Sequence, residues 1–173
     1  RYEKFYIPKR AGGTRTILAP PTALKIVQRK LNQVLQSVYD PRRSAHGFVG
    51  GRSVLTNASR HVGAAHVLNI DLLDFFPSIN FGRVRGLFIA APYSRSPQVA
   101  TVLAQICCFD NQLPQGAPTS PVVANMICAR LDSHLRRLAR TYRCRYTRYG
   151  DDLSFSTRRK HFPTKLAKER ATE

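Results

Sequence analysis

Residues 144–157, CRYTRYGDDLSFST, constrain the fold more than any other stretch of the sequence. Apolar and polar residues alternate on both sides of Gly150-Asp151, a pattern that predicts a β-hairpin with Asp151 and Asp152 at its tip. Adjacent carboxylates repel, and each raises the pKa of the other unless a cation lies between them. The stretch therefore predicts either solvent or a metal ion beside the tip. Taken alone, Gly-Asp-Asp is more typical of an ordinary turn, because Gly and Asp favour turns on local grounds.

The rest of the chain mixes strands and helices. Residues 5–18 are predicted to form two strands joined by a basic turn with Gly12-Gly13 at its tip, and residues 67–71 a buried strand that ends in a carboxylate. Helices are predicted at residues 22–39 with Thr22 as N-cap, at about 81–91, at about 97–108 with Ser96 as cap and Pro97 in the first turn, and from Ser120-Pro121 to about Arg140. This order predicts an α+β fold with a small antiparallel sheet.

The charge of the chain indicates its class of partner. It carries 28 Lys and Arg against 10 Asp and Glu, a formal net charge of +18. Lys and Arg that neutralise phosphates release counterions and gain affinity, so nucleic acid is the expected partner. A ribosomal-type structural protein is also strongly basic but usually lacks this much apolar periodicity. A membrane surface is the weaker alternative, since no basic amphipathic segment stands apart from the core pattern.

Several other classes of protein are not expected. The four cysteines include no CxxC pair, which argues against a zinc site and against a disulfide framework. The sequence has no signal peptide and no run of roughly 18 apolar residues, which predicts a cytoplasmic protein that does not span a membrane. The chain starts at Arg1 without an initiator Met, and we expect it to be a piece of a longer protein.

Acidic residues are scarce, so their positions carry information. Asp71 ends the predicted strand 67–71, and neighbouring strands of one sheet would bring it within metal distance of Asp151. Two divalent ions about 3.5–4 Å apart, held by such carboxylates, would activate an attacking hydroxyl and stabilise the leaving pyrophosphate of an in-line displacement. Mg²⁺ suits oxygen ligands of this kind, and Mn²⁺ is the alternative ion.

Two further stretches are weak signals when taken singly. Residues 113–121, LPQGAPTSP, set a glycine between two prolines, so that backbone can approach a planar ligand while Gln115 offers an amide. A loop with a helix cap is the simpler interpretation. Residues 71–79, DLLDFFPSI, set Phe75 and Phe76 just past the carboxylate, where one ring would pack in the core and the other line a pocket. An aromatic pair beside a strand usually packs in the hydrophobic core and has no other role.

Taken together and in this order, the stretches resemble reverse transcriptases. The basic turn IPKRAGGTR at residues 7–15 precedes D(x4)F, LPQG and YxDD, as in that family. The chain is most similar to the retron type of prokaryotic reverse transcriptase, because NASRH at residues 57–61 fits its Asn-Ala-x-x-His pattern and residues 46–58, HGFVGGRSVLTNA, are similar to the block before it.

The resemblance implies the fingers and palm of a right-hand polymerase. Residues 1–66 would be the fingers, including part of the Asn-Ala-x-x-His region. Residues 67–173 would be the palm, with about 81–112 packing with the fingers, and the thumb would lie beyond the end of this chain.

The resemblance also implies roles for individual residues. Asp71, Asp151 and Asp152 would be catalytic and would bind two Mg²⁺ ions, with Asp71 and Asp151 as the main bridging ligands. Phe76 would be a steric gate that excludes a 2'-hydroxyl on the incoming sugar, which favours DNA synthesis. Other contacts to nucleotide and primer would come from Lys9 and Arg15 at the triphosphate, Gln115 and Gly116 beside the nucleotide and templating base, and Tyr149 near the primer end.

Three residues are candidates for contact with RNA, each with a structural alternative. Arg52 would reach a phosphate or the template strand, or remain a solvated loop charge. Asn57 and His61 lie four apart, so on a helix they share a face and either contact RNA or hydrogen-bond to each other. Gly150 departs from the family, because retron enzymes more often have Ala there, and the difference bears on nucleotide fit.

The implied activity is that of a retron-type RNA-directed DNA polymerase. It would copy a structured non-coding RNA into single-stranded DNA from dNTPs on an RNA/DNA primer-template, with priming from an RNA 2'-hydroxyl. The resemblance further implies a role in antiphage defence, often beside an effector protein. A group II intron-like reverse transcriptase is the alternative within the enzyme class, and a non-catalytic RNA-binding module with a polymerase framework is the alternative outside it.

Overall fold

A computed structural model describes residues 1–8 and 12–168, without the side chains of residues 167 and 168. Contacts divide the chain into two compact units. The first unit comprises Arg1–Asp40 and Asp74–Ile127, and the second comprises Pro41–Leu73 and the chain from Cys128 onward. In chain order the described elements are β1 (Glu3–Pro8), β2 (Thr14–Ala19), α1 (Thr22–Val38), α2 (Val54–Ala58), a 3₁₀ helix (Ser59–His61), β3 (His66–Asp71), α3 (Phe81–Ile89), α4 (Pro97–Cys107), α5 (Ser120–Thr141), β4 (Arg145–Tyr149), β5 (Asp152–Thr157) and α6 (Thr164–Lys168).

The hairpin of the first unit confirms the two predicted strands, while residues 9–11 of the predicted basic turn lie outside the described residues. Strand β1 pairs antiparallel with β2, with Glu3 opposite Ala19 and Pro8 opposite Thr14. At the predicted tip, Gly12 and Gly13 have φ of +89° and +80°, a left-handed region where a residue without a Cβ is unstrained.

Helices α1, α3 and α4 lie where they were predicted, with one correction at a helix start. Ser96 accepts a hydrogen bond from the N–H of Val99, and Pro97 lies in the first turn of α4. Thr22 is not the N-cap of α1, because Pro21 occupies that position and no side chain caps the helix. Pro21 has the extended backbone that a cap residue needs, so Thr22 is already helical. Within the described residues, no helix combines the length and the apolarity needed to cross a membrane.

The second unit is built on a three-stranded antiparallel sheet in the order β3-β5-β4. Strands β4 and β5 form the predicted hairpin, and Gly150 and Asp151 make its two-residue turn. The core of this unit joins the C-terminal part of α5 to the sheet and to α6. Its buried members are Leu135, Ala139, Cys144, Tyr146, Leu153, Phe155 and Leu166.

Strand β3 exists as predicted but is not buried. Val67 is 52% exposed, whereas Leu68 and Ile70 pack against the core of the second unit. The strand lies at the edge of the sheet, so only one of its faces is covered. The apolar run VLNI therefore alternates in burial, although its composition suggested a strand covered on both faces.

Candidate active site

The three carboxylates predicted to be catalytic lie at one end of the β3-β5-β4 sheet. Asp71, the last residue of β3, pairs with Asp152, the first residue of β5, and Asp151 precedes Asp152 in the hairpin turn. The N–H of Leu72 donates to the carbonyl of Asp151 at 3.1 Å and so fastens the end of β3 to the turn. Strand pairing thus brings together carboxylates that are far apart in the sequence.

The ligand chemistry at this end of the sheet suits a hard divalent cation. Carboxylate oxygens are the ligands that Mg²⁺ prefers. Burial raises the pKa of Asp152, and the charges of Asp151 and Asp71 raise it further. A bound cation would relieve this repulsion. As the side chains stand, no group of three or more His, Cys, Asp or Glu in the described part of the chain is arranged to hold a metal ion.

A buried ion pair holds the hairpin behind its tip. Nε and Nη2 of Arg148 donate to Oδ1 and Oδ2 of Asp132 at 2.9 and 2.8 Å, and both side chains are 0% exposed. The hydroxyl of Tyr146 donates to the same Oδ1 at 2.9 Å. Nη1 of Arg148 donates to the carbonyl of Gly150 at 2.9 Å. The pair therefore connects α5 directly to the turn that carries Asp151.

The pKa values of this cluster follow from its burial. Burial raises the pKa of Tyr146, and the negative charge of Asp132 raises it further. Burial acts to lower the pKa of Arg148, but the hydrogen bonds and charge of Asp132 outweigh it, and the net pKa is raised. The guanidinium thus stays charged inside the core because its counter-charge is buried with it.

Sequence reasoning assigned no role to Asp132 or Arg148. A signal was nevertheless present, because the alternation of β4 sets Arg148 on the same face as the buried Tyr146. A charged residue on a core-facing position needs a buried partner of opposite charge. Asp132, one of few acids in the chain and located within the apolar pattern of α5, was the candidate partner.

Residues 44–48 lie along β4 and contact the turn. The N–H of Arg148 donates to the carbonyl of Ser44, and the N–H of His46 donates to the carbonyl of Arg148, both at 2.8 Å. Gly47 lies so close to the hairpin that a Cβ there would be 2.3 Å from the backbone N of Gly150. Only a residue without a side chain fits at this contact, a requirement that sequence reasoning did not assign to Gly47.

The structure supplies a backbone reason for glycine at position 150. Its φ is +65°, in the left-handed region that favours glycine. An added Cβ would lie 3.3 Å from Cε2 of Phe48, a tight contact with a ring that would have to give way. Alanine, which the resemblance leads one to expect here, would therefore be strained by this backbone.

Two of the three candidates for RNA contact, His61 and Arg52, have structural partners. Nδ1 and Nε2 of His61 each lie 2.7 Å from a strand hydroxyl, that of Ser156 in β5 and that of Thr147 in β4. Both ring nitrogens are thus engaged with the sheet, and not with Asn57. Oδ1 of Asn57 is buried without a hydrogen-bond partner in the described chain. Nη1 of Arg52 donates to the carbonyls of residues 42 and 45, and so holds its own loop.

Of the remaining candidates, Arg15 and Tyr149 lie on hairpin strands and Phe76 lies between β3 and α3. Phe75 is buried, which confirms that one ring packs in the core, and Phe76 is half-buried, with ring centroids 5.2 Å apart in an edge contact. The pocket-lining role of Phe76 stays a prediction. Arg15 is exposed on β2, and Tyr149, the last residue of β4, is half-buried. Lys9 lies outside the described residues.

Gly116 is fitted to the β-hairpin of the first unit. The N–H of Leu18 donates to the carbonyl of Gln115 at 2.7 Å. A Cβ on Gly116 would lie 2.9 Å from the carbonyl oxygen of Leu18, and its φ of +127° also favours glycine. The close backbone approach expected of this glycine is thus made to strand β2, and Gln115 is held beside that strand.

Comparison with known proteins identifies relatives across nearly the whole chain. The family model described as reverse transcriptase (RNA-dependent DNA polymerase) matches residues 7–169. The retron Mx65 reverse transcriptase of Myxococcus xanthus is 44% identical in an alignment 173 positions long, which covers 90% of this chain and 40% of that protein. The retron Ec86 reverse transcriptase of Escherichia coli is 42% identical in an alignment 161 positions long, which covers 90% of this chain and 49% of that protein. The chain therefore spans less than half the length of these curated relatives.

Proposed function

The chain belongs to the reverse transcriptase family, and we propose that it supplies the catalytic carboxylates of a retron-type RNA-directed DNA polymerase. The observation that carries the proposal is the meeting of Asp71, Asp151 and Asp152 at one end of the second unit's sheet. The buried pair between Arg148 and Asp132 supports it, because it anchors the turn that carries Asp151 to helix α5. The relatives described above are retron reverse transcriptases, which favours the retron type over a group II intron-like enzyme.

In the proposed reaction, a terminal hydroxyl of the primer attacks the α-phosphate of a dNTP paired to an RNA template. A new P–O bond forms, and pyrophosphate leaves in line with the attack. Two divalent ions, Mg²⁺ or Mn²⁺, would supply activation of the hydroxyl and neutralisation of the leaving group when bound. Asp71 and Asp151 would be their main ligands, and Asp152 would complete the set. The added positive charge would stabilise the ionised form of Asp152, because burial and the charges of Asp151 and Asp71 raise the pKa of that carboxyl.

Selection of the nucleotide is proposed to rest on residues of the first unit. Phe76, half-buried and backed by the ring of Phe75, would exclude a sugar 2'-hydroxyl. Gln115 and Gly116 would border the nucleotide and the templating base. Arg15 would face the triphosphate together with Lys9.

The finer biological role is also a proposal. We expect the template to be a structured non-coding RNA that is copied into single-stranded DNA, with priming from an RNA 2'-hydroxyl. We further expect a role in antiphage defence with an effector protein, and Tyr149 near the primer end. The division into fingers at residues 1–66 and palm at 67–173 stays a prediction.

Primer extension on an RNA template with Mg²⁺ tests the activity. We expect incorporation of dNTPs, and a loss of more than about 100-fold in Asp151→Asn, because a charge that stabilises the transition state is removed. Asp110→Asn is the matched control, since Asp110 is exposed and its φ of +51° suits Asn as well as Asp. If the protein extends no primer, or if both variants behave alike, the proposed function is wrong.

A non-catalytic RNA-binding module is the second candidate, and the arginine-lined pocket described below favours it. The same assay distinguishes the two, because a module of this kind would bind RNA and incorporate no nucleotide. Equal RNA affinity of the wild type and Asp151→Asn is expected under both proposals, so incorporation decides between them.

A further inference from the structure

The second unit contains a pocket of about 960 Å³ that none of the three carboxylates lines. Its walls come from the segment before α2, the 3₁₀ helix, the last turns of α5 and strand β4. The charged residues that line it are all basic: Arg43, Arg52, Arg60, Arg136, Arg140 and Arg145.

These arginines have no acidic counterpart in the pocket. The lining contains neither Asp nor Glu, and within the described residues none of the six guanidiniums forms an ion pair. Arg145 donates from Nη1 to the carbonyl of Arg60 at 2.8 Å, which orients one guanidinium while its other N–H groups stay available. Arg136 and Arg140 lie four apart on α5, so both reach the same face. Guanidinium groups arranged in this way match phosphate oxygens, which accept two parallel hydrogen bonds.

Buried polar atoms in the lining also lack partners. Ser44 is 3% exposed and His46 is 2% exposed, yet Oγ of the first and Nε2 of the second have no hydrogen-bond partner in the described chain. Both residues line the pocket. Because buried polar groups are nearly always satisfied, these two atoms indicate a polar ligand that completes them.

The hydrogen-bond network indicates which ring nitrogen of His46 carries the proton. The hydroxyl of Thr56 donates to the carbonyl of Ser53 at 2.9 Å, so its oxygen accepts from Nδ1 of His46, also at 2.9 Å. Burial, then the charges of Arg52 and Arg60, lower the pKa of His46 and so favour the neutral ring. With the proton on Nδ1, Nε2 is an acceptor. An acceptor suits a hydroxyl donor better than a phosphate oxygen.

We infer that this pocket binds a segment of RNA, with phosphates on the arginines and a ribose 2'-hydroxyl on Nε2 of His46. A lone phosphate would use the arginines but leave the acceptor unpaired, and DNA lacks the hydroxyl that would donate to it. The inference does not rest on catalysis, because the pocket excludes Asp71, Asp151 and Asp152. Binding assays without dNTPs therefore succeed or fail independently of the proposed polymerase activity.

The first test compares the loss of two charges inside the pocket with the loss of two charges outside it. Arg136→Gln/Arg140→Gln takes two charges from the pocket, and Arg130→Gln/Arg137→Gln takes two exposed charges from the same helix outside it. We expect the pocket variant to weaken binding of a labelled RNA at least about 10-fold at 0.15 M salt. We also expect the slope of log K against log salt to fall by about 1.4, as two lost phosphate contacts imply for a single strand. Equal losses in the two double variants would overturn the assignment.

The second test addresses the sugar. We expect an all-deoxy oligonucleotide to bind the wild-type protein more weakly than the RNA of the same sequence. The difference should narrow in His46→Asn, whose amide can replace Nδ1 toward Thr56 but has no atom at Nε2. Circular dichroism reports whether that variant folds. Equal affinity of the wild type for both oligonucleotides contradicts the 2'-hydroxyl contact, whatever the variant does.

The third test locates the ligand directly. Modification of arginines by phenylglyoxal, mapped by mass spectrometry, should be suppressed by RNA at Arg136, Arg140 and Arg145 and unchanged at Arg130 and Arg137. Inorganic phosphate and AMP serve as competitors. If either displaces RNA at micromolar concentration, the pocket is a small-phosphate site and the inference of an RNA segment is wrong.

Discussion

The ion pair between Asp132 and Arg148 should be the most sensitive point of the second unit. Asp132→Asn preserves the side-chain shape but removes the charge and one of two oxygens that accept from Arg148. The guanidinium, 0% exposed, would remain buried without a counter-charge. Removing one partner of a buried pair costs roughly 3–5 kcal/mol, so we expect the free energy of unfolding to fall by about that amount.

Urea denaturation followed by circular dichroism measures the loss. Hydrogen exchange of the β4 and β5 amides follows the second unit by itself, which matters because two units need not unfold in one transition. Asp110→Asn makes the same chemical change at an exposed site and should alter stability by less than about 0.5 kcal/mol. A loss below about 1 kcal/mol in Asp132→Asn would refute the reasoning that this pair anchors the hairpin.

A triple variant separates stability from positioning. Asp132→Leu/Arg148→Met/Tyr146→Phe replaces the polar cluster by apolar side chains, an exchange that is often neutral for stability. It also removes the donor to the carbonyl of Gly150. We therefore expect near-normal unfolding but slower primer extension, since the turn that carries Asp151 loses its anchor. Full activity of a stable triple variant would show that the anchor is dispensable.

Three further predictions concern other sites. Gly47→Ala should cost about 1–3 kcal/mol in urea denaturation, because its Cβ would lie 2.3 Å from the backbone N of Gly150, whereas Gly50→Ala meets nothing within 4 Å and serves as control. The folded-state pKa of His61 is lowered from 6.5 by burial, then by the charge of a nearby arginine, so its contribution to stability is present above about pH 6.5 and lost as pH falls through the lowered value. We expect the urea midpoint of the wild type to fall with pH below 6.5, and to fall less steeply in His61→Gln; identical pH profiles would contradict this. Phe76→Ala should relax sugar selection, measured as the ratio of rNTP to dNTP incorporation, and an unchanged ratio would remove the gate role from this residue.

Local sequence patterns were sufficient to predict most of the secondary structure. The alternation around Gly150-Asp151, the proline that follows Ser96 and the paired glycines near residue 12 each depend on neighbours within a few positions, and each prediction is confirmed. The errors arose where the outcome depends on more distant parts of the chain. Strand β3 was taken as buried because its residues are apolar, but its place at the sheet edge is decided by which strands pair.

In the candidate site, too, the features set by neighbouring residues could be predicted and those set by distant residues could not. Asp71, Asp151 and Asp152 could be proposed from sequence because strand ends and turns are local features, and the order of motifs joined them. The fit of Gly47 against Gly150 could not be proposed, because residues about 100 positions apart meet only after the sheet has formed. The same holds for the arginines of the RNA pocket, which come from four separate segments.

The sequence by itself determined the hairpin, the helices, the net positive charge and the family, because hydrophobic period, turn chemistry and motif order are written along the chain. Only the tertiary structure decided that Arg148 anchors the turn before Asp152 through Asp132, that His61 is bonded to two strands, and that Nε2 of His46, a residue lining a basic pocket, is buried without a partner in the described chain. The physical reason is that a buried charge or an unpaired acceptor is defined by its surroundings in space. Those surroundings are assembled from residues that sequence order keeps apart.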